Sequence, residues 1–472
     1  MVLTTTAADE ERRTQASEGM RALVRWAAEC PAEAVADAAM TRAALVLSDD
    51  IAAMVAAQGE PEVEAAQTRL TERVHVREAT VFNRRAPRVD RYSAAVANGL
   101  AATWCELDEG YRVAPAHAGA YVLPALMAEA EATGQDMQEV LRALALGYEI
   151  VGRCARAFRF ASLTVHPHAA FGTMGAAAGI GLLRGYDAEA LLATVSAGAT
   201  MVLAGPYRHA IEGALVRNLW TGVSAWSGMR AADLAPLGLG GIAASPFDVF
   251  AGCFGSDADP AVLTADLGNR WAIVDGYHKL FACCQYAHSA VEASLKLGDR
   301  LAAAGRSSDD IVEIIAETHP LGLTLTQREP PTVLSAKFSL PHALAAVAAR
   351  RTGGQAAFAR DTLDDPAIAR LRQTVRLRLY DAIGPWPKDR PARVTWRLKD
   401  GETWSEAVQS ARGGADRPFS TDELIEKIEA LTRGVFHRMP DVLRALIALP
   451  RSFAKKPWRE IVDEMTRHDS AE

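Results

Sequence analysis

Apolar residues recur at helical spacing through residues 1–275, and β-branched runs are scarce there. Residues 18–30, 31–58, 61–83, 91–103 and 120–132 each read as a helix. The clearest helical pattern spans 136–160. Asp136 can cap it, Glu139 sits three residues on, and Val140, Leu141, Leu144, Tyr148 and Val151 fall on one face. A glycine-rich pattern follows at 171–183, with Gly172, Gly175, Gly179 and Gly181 set among alanines. A phosphate loop would need a strand before it and Lys-Ser/Thr after it, so the pattern predicts close helix–helix packing instead. Asp187 is placed to cap the next helix.

The texture changes near residue 309. Residues 311–318 are dense in branched side chains, and 374–380 alternates apolar with charged. Residues 393–398 alternate too, and Asp400-Gly401 turns that run into 402–409, which predicts a hairpin. A helix is expected over 335–351, and Thr421-Asp-Glu-Leu opens a capped helix near the end. The predicted fold is therefore mainly α: a large all-helical domain (1–278), a smaller α+β lid domain (279–408), and C-terminal helices (409–472) that return to the helical domain.

At 472 residues the chain is too long for one ordinary core. With 49% hydrophobic and 23% charged residues it reads as a soluble globular protein, and a net charge of −7 gives no electrostatic reason to expect nucleic acid. Six scattered cysteines, with no CxxC pair, point to reduced thiols. The acidic N-terminus lacks a signal-peptide layout, and the apolar stretch 191–206 is too short to span a bilayer. A cytoplasmic location without membrane contact is expected.

Against this alanine-rich background four polar clusters stand out. Residues 104–119 hold Glu106, Asp108, Glu109 and His117 between two apolar helices, where a rigid scaffold would present chemistry. Tyr148-Glu149 with Arg153 lies inside a helix, His166-Pro-His168 opens the glycine-rich helix, and 277–288 carries Lys279 and His288. Arg208, His209, Glu212, Arg217 and Asn218 form a lesser group. HExxH, a cysteine ligand set, Gly-x-Ser-x-Gly and a strand-glycine-helix order are all missing from the sequence. What remains is acid–base chemistry by Lys, His and Tyr with arginines to bind anions, suited to removing a proton next to a carboxylate. A lysine enclosed near arginine and histidine is expected to have its pKa drawn toward neutrality.

In combination these segments resemble the MmgE/PrpD family over nearly the whole chain. The resemblance rests on Asn98-Gly99, Glu106-Leu-Asp-Glu-Gly110, His117-Ala-Gly, Val122-Leu-Pro-Ala-Leu126 and Ala145-Leu-Gly-Tyr-Glu149 with Arg153. His166-Pro with Gly172-Thr-Met-Gly, and the run from Lys279 to His288, complete it. The family includes 2-methylcitrate dehydratase, cis-aconitate decarboxylase and iminodisuccinate epimerase. The resemblance implies a homodimer, a small polycarboxylate substrate, no metal, flavin or nicotinamide, and a pocket containing Asp108, His117, His166 and Lys279. Two departures are visible: Arg217 precedes Trp220-Thr-Gly222 where dehydratase and decarboxylase members have Lys before His-x-Gly, and residues 324–331 lack a tyrosine.

The expectation is a cofactor-independent lyase of the dehydratase type. Lys279 would be the base, and His117, oriented by Asp108, the acid. Arg217, Arg153, Arg208, His166, His288 and Glu106 would bind substrate. Return of the proton through Tyr148 would instead make an epimerase. Decarboxylation, or a paralogue that binds without catalysis, is the other alternative.

Overall fold

Helix Pro167–Leu183 runs through the middle of the helical part, and every one of its residues is buried. The computed structural model describes residues 7–467 apart from 161, 163 and 449. Helices Ala118–Thr133, Met137–Ala157, Ala188–Thr200 and Val216–Leu234 pack around that central rod. Small residues make the approach possible. A Cβ added at Gly175 would lie 2.9 Å from the Tyr121 Cβ, and one added at Gly172 would lie 2.7 Å from the Ser224 Cβ. Another close backbone crossing lies where Gly99 of helix Arg91–Ala102 meets Gly222.

Local signals fix most helix starts. Asp90, Asp136 and Asp187 accept hydrogen bonds from backbone N–H groups of the turns they precede. The face expected along Met137–Ala157 is buried, but so is the opposite face, which carries Arg142, Glu149 and Arg153. That helix stops at Ala157, where Phe158–Arg159 pairs with Asp257–Ala258. The helix expected over 61–83 ends at Thr71. Beyond it Ala79–Thr80 is a strand, because the buried Glu131 carboxylate accepts from both the N–H and the hydroxyl of Thr80. The single helix expected over 335–351 is two, Val333–Lys337 and Leu340–Arg350, with Ser339 capping the second and a proline in its first turn.

A four-stranded sheet occupies the later part of the chain, in the order Thr403–Val408, Ala392–Leu398, Ile311–Thr318, Val375–Leu379. Its last pair is parallel and the other two pairs are antiparallel. The expected hairpin turns through Gly401, at φ 90°. Helix His288–Ala303 packs on this sheet, and Leu340–Arg350 packs on that helix. After the sheet, helix Thr421–Thr432 returns to Asp37–Ala56 and opens with a Ser420/Glu423 capping box. Helix Trp458–Met465 returns to Ala118–Thr133, where the Trp458 indole donates to the Met127 carbonyl at 3.1 Å.

Val216, Trp226 and Leu234 are exposed on the outer side of Val216–Leu234, as are Leu237, Leu239 and Ile242 just beyond it. Among the described residues no helix is long and apolar enough to cross a membrane.

The Gly99–Gly222 crossing yields a stability test. A Cβ at Gly222 would sit 2.5 Å from the Val96 carbonyl oxygen, whereas one at Gly59 meets nothing within 4 Å. In urea unfolding, Gly222→Ala should cost about 1–3 kcal/mol, because backbone must shift to admit the methyl group. Gly59→Ala should stay within about 1 kcal/mol of the parent.

Candidate active site

The loop between helices Arg91–Ala102 and Ala118–Thr133 is the base of the site. It holds its acids inward because two elements pin it. Gly110–Tyr111 pairs antiparallel with Gly276–Tyr277, which brings the loop beside Lys279. Lys427, on helix Thr421–Thr432, donates to the Leu107 carbonyl at 2.7 Å. Glu106 itself adopts φ 54°, a left-handed conformation that costs a non-glycine residue about 1–2 kcal/mol. Its contacts account for the strain: the carboxylate lies 2.5 Å from Arg217 Nη2 and 3.2 Å from Lys279 Nζ.

Asp108 continues the chain of charge. One oxygen lies 3.4 Å from Lys279 Nζ, and the other lies 2.6 Å from His117 Nδ1. That same nitrogen is 2.8 Å from the Glu109 carbonyl, which can only accept. The proton of a neutral His117 therefore sits on Nδ1, and Nε2 is left with a free lone pair. Of these groups Glu106, Asp108 and Lys279 are fully buried, while His117 lines a cavity with 16% of its side chain exposed.

Burial alone would neutralise the two acids, but Arg217 and Lys279 outweigh it and hold Glu106 at about 2. Asp108 is likewise held well below the carboxylate range, its burial outweighed by Lys279 and His117. Lys279 responds the other way. Burial works to lower its pKa, yet Asp108 and Glu106 raise it above the ordinary lysine value. The expectation that like charge would draw Lys279 toward neutrality is thus corrected: its nearest charges are carboxylates, and it stays an ammonium ion.

A second buried network lies behind the first. Glu109 accepts from Gly119 N–H at 2.7 Å and from the Tyr148 hydroxyl at 2.9 Å, and its own N–H donates to Asp50 at 3.0 Å. Burial, opposed by those two donors and reinforced by the charge of Asp108, pushes Glu109 up to about 8. Asp50 is raised as well, by burial and then by Glu109. Asp49 keeps its charge at about 2, because Lys427 and His278 each lie 2.6 Å away and outweigh its burial. Gly119 has no room for a side chain, since a Cβ would be 2.6 Å from Glu109 Oε1 and 2.7 Å from Asp50 Oδ2.

The cavity has about 460 Å³ of atom-free space, which includes solvent at its open side. Glu106, His117, His166 and Arg217 line it from the helical part, and Tyr286 and Arg390 from the later part of the chain. His166 precedes the glycine-rich helix, stacks on Tyr207 at 5.3 Å, and accepts from Arg217 Nε at 3.3 Å. Burial and then the charge of Arg217 push its pKa well down, so it is a neutral imidazole. His168 is buried beside it, with Nδ1 2.9 Å from the Tyr121 hydroxyl and Nε2 unpartnered.

Asp108, His117 and His168 bring potential metal-ligand atoms within 4.8 Å of one another. The donor set suits a proton better than a cation. Asp108 and His117 are in direct contact at 2.6 Å, and the ammonium of Lys279 already faces the same carboxylate.

Six of the residues singled out from the sequence come together: Glu106, Asp108, His117, His166, Arg217 and Lys279. Of these, Asp108 and Lys279 stand behind the cavity wall, and the other four sequence candidates lie apart from the group. Tyr148 is fully buried behind Glu109, to which it donates. Arg153 turns away, pairing with Glu149 at 2.6 Å and donating to the Ala265 carbonyl at 2.7 Å. Arg208 is solvent-exposed and pairs with Glu212, one helical turn on. His288 is buried with Nε2 3.1 Å from the Cys283 carbonyl. Arg153 and His288, expected from the sequence to bind substrate, thus have protein partners outside the cavity lining, and Arg208 faces solvent. Sequence reasoning passed over Tyr207, Tyr277, Gln285, Tyr286, Phe338 and Arg390, which also line the cavity. Three of them lie in the 277–288 run and Tyr207 adjoins Arg208, but Arg390 follows a proline-rich loop with no local signal.

Residues 21–258 match the MmgE/PrpD N-terminal domain and residues 281–448 the MmgE/PrpD C-terminal domain. Among curated proteins, the chain is 27% identical over 400 residues to the cis-aconitate decarboxylase-like protein oryM of Aspergillus oryzae, covering 76% of this chain and 80% of that one. It is 26% identical over 368 residues to cis-aconitate decarboxylase of Homo sapiens, covering 75% of each chain. It is 23% identical over 401 residues to cis-aconitate decarboxylase of Aspergillus terreus, covering 79% and 81%. With both domains matched in order over most of its length, this chain belongs to the MmgE/PrpD family.

Proposed function

We propose that this protein is a cofactor-independent lyase of a small di- or tricarboxylate, with His117 as the group that moves the proton. The observation that carries this is the Asp108–His117 pair, at 2.6 Å, in the wall of a cavity that also holds arginine. His117 Nε2 takes the proton from the carbon α to a carboxylate, and Asp108 stabilises the imidazolium that results. In the dehydratase reading the same proton passes to a β-hydroxyl, the C–O bond breaks, and water and an alkene leave. Lys279 is not the base here; as a buried cation it keeps Asp108 and Glu106 ionised. Arg217 fixes Glu106 and His166.

A decarboxylase is the second reading, favoured by the names of the relatives. There a carboxylate departs as CO2 and protonated His117 delivers its proton to the carbon left behind. Epimerisation draws no support from the position of Tyr148 behind Glu109.

Proton NMR in D2O with citrate, 2-methylcitrate, cis-aconitate, malate and iminodisuccinate tests the reading. A new alkene or its hydration marks a dehydratase, and loss of a carboxylate marks a decarboxylase. Deuterium exchange without a new product would point to an isomerase, and no change in any acid would overturn the proposal. His117→Ala should lower kcat by about 10²–10⁴-fold, the usual range for a lost general acid–base group. Turnover equal to the parent would exclude His117.

The buried acids set a pH dependence of stability. Glu109, raised to about 8 from an ordinary 4.5, holds a proton in the folded state that the unfolded chain releases, so it makes stability fall as pH rises between those values. Glu106, lowered to about 2, contributes stability above its ordinary 4.5 that is lost as pH falls toward 2. Thermal unfolding of Glu109→Gln between pH 5 and 8 should therefore show a shallower decline than the parent. An unchanged slope would mean that Glu109 is ionised throughout.

The homodimer implied by family resemblance would have a second copy cover the apolar outer face of Val216–Leu234, the helix whose inner side carries Arg217. Light scattering should then find a dimer in the parent and a monomer in a Trp226→Glu/Leu237→Glu variant. A parent that is monomeric at micromolar concentration would refute the dimer.

A further inference from the structure

Arg217 was the arginine expected to grip a carboxylate, yet its charge is already met by Glu106 and its Nη1 by Thr103 and Asn218. Nη2 faces Glu106 at 2.5 Å, Nη1 donates to the Thr103 carbonyl and the Asn218 side chain, and Nε donates to His166. Whatever anion the cavity holds must find another partner. Arg390 is the other cavity-lining arginine, and it belongs to the segment just before strand Ala392–Leu398. Only 6% of it is exposed. Nη1 donates to Gln285 Oε1, the guanidinium lies over the Tyr286 ring at 4.9 Å, and the buried Nε makes no hydrogen bond but lies 3.4 Å from Asp389 Oδ2. Its nearest carboxylate is Asp389, at 3.4 Å.

Asp389 has a closer claim on it. Arg112, of the loop that bears Asp108, approaches Asp389 to 2.6 Å and also donates to the Pro387 carbonyl at 2.6 Å and to Ser410 at 3.0 Å. Arg112 is itself only 5% exposed, and its Nε is also unpartnered. Two buried guanidinium groups thus share one carboxylate. Burying a cation without its full complement of partners is expensive, so such an arrangement is poised to receive an anion. Arg390 also lines a neighbouring cavity with Arg112, Pro115 and Trp386, so it stands between the outer space and the one that holds His117. Arg217 and Arg390 touch different neighbours, Glu106 and His166 for the first and Gln285, Tyr286 and Asp389 for the second, so they mark separate parts of the cavity.

We propose that Arg390 is a specificity-determining residue that binds a substrate carboxylate remote from the carbon on which His117 acts, and that Asp389, held by Arg112, is its positioning residue. The proposal rests on the carboxylate reading given above and deepens it: the substrate carries at least two carboxylates, and one of them completes the charge of the Arg112–Asp389–Arg390 group.

Calorimetric binding of succinate and succinamate, in which one carboxylate is replaced by an amide of similar shape, separates the possibilities. The parent should prefer succinate by about 10- to 100-fold, as expected for a charge-assisted bidentate contact. Arg390→Met should bind the two ligands alike, at the affinity of succinamate. Arg390→Lys, which keeps the charge and should fold even if the methionine variant does not, should retain part of the preference. Asp389→Asn should reduce the preference for succinate while leaving succinamate binding in place, although the loss of the shared carboxylate lowers the melting temperature. If the preference survives intact in Arg390→Met or Arg390→Lys is indistinguishable from a neutral substitution with no preference in the parent, the assignment is wrong. A parent that binds both ligands equally overturns Arg390 but leaves the carboxylate reading standing; a parent that binds neither overturns both.

Discussion

Lys279 between Asp108 and Glu106 is the contact on which the rest of the site depends. Three ionised groups are buried there, and Arg217 makes a fourth. Removing one member of such a cluster leaves an uncompensated charge in the interior, at a cost of about 3–5 kcal/mol. The cluster therefore has to form as a unit, and it joins three distant parts of the chain. The 103–117 loop supplies the acids, helix Val216–Leu234 supplies Arg217, and the segment after Gly276–Tyr277 supplies Lys279. The left-handed backbone at Glu106 is tolerated because the two cations on its carboxylate over-determine its position.

This arrangement divides labour between buried charge and exposed imidazole. Groups with no access to the cavity set the ionisation of those that have it. Lys279 keeps Asp108 anionic, Asp108 faces the Nδ1 of His117, and the Glu109 carbonyl fixes the tautomer. On the other side of the loop, Glu109 and Asp50 carry raised pKa values only one residue and one helix away from an acid held far below its usual range. Environment, not residue type, separates these carboxyl groups: Asp108 meets the ammonium of Lys279 and the Nδ1 of His117, whereas Glu109 meets hydroxyl and amide donors and the negative charge of Asp108. Glycine at 119 is part of the same design, because it leaves the room in which Glu109 and Asp50 approach the start of Ala118–Thr133.

The helical part and the sheet meet at this cluster. Arg112 reaches from the catalytic loop to Pro387, Asp389 and Ser410, while Lys337, beside the sheet region, donates to the Trp104 carbonyl at 2.8 Å. Both contacts involve the same short loop that carries Asp108 and His117. A displacement of the later segment would be felt first at these groups, which gives the two halves of the cavity a direct mechanical link.

The sequence by itself determined most of the elements and singled out the residues that form the charge cluster. These are local signals: period, caps, the Asp-Gly turn, and acids stranded in an alanine-rich background. It failed where partners distant in the chain override local pattern. Thr80 is in a strand because Glu131 takes its donors, and Arg153 is silent because Glu149 and the carbonyls of 262–265 claim it. Lys279 has its pKa raised and not lowered because Asp108 and Glu106, some 170 positions away, are its neighbours. Arg390 had no local signal, since its meaning lies in Arg112, Asp389 and the cavity wall it completes. Protonation and pairing depend on distances of a few ångströms between segments far apart in sequence. Only the tertiary structure decided those.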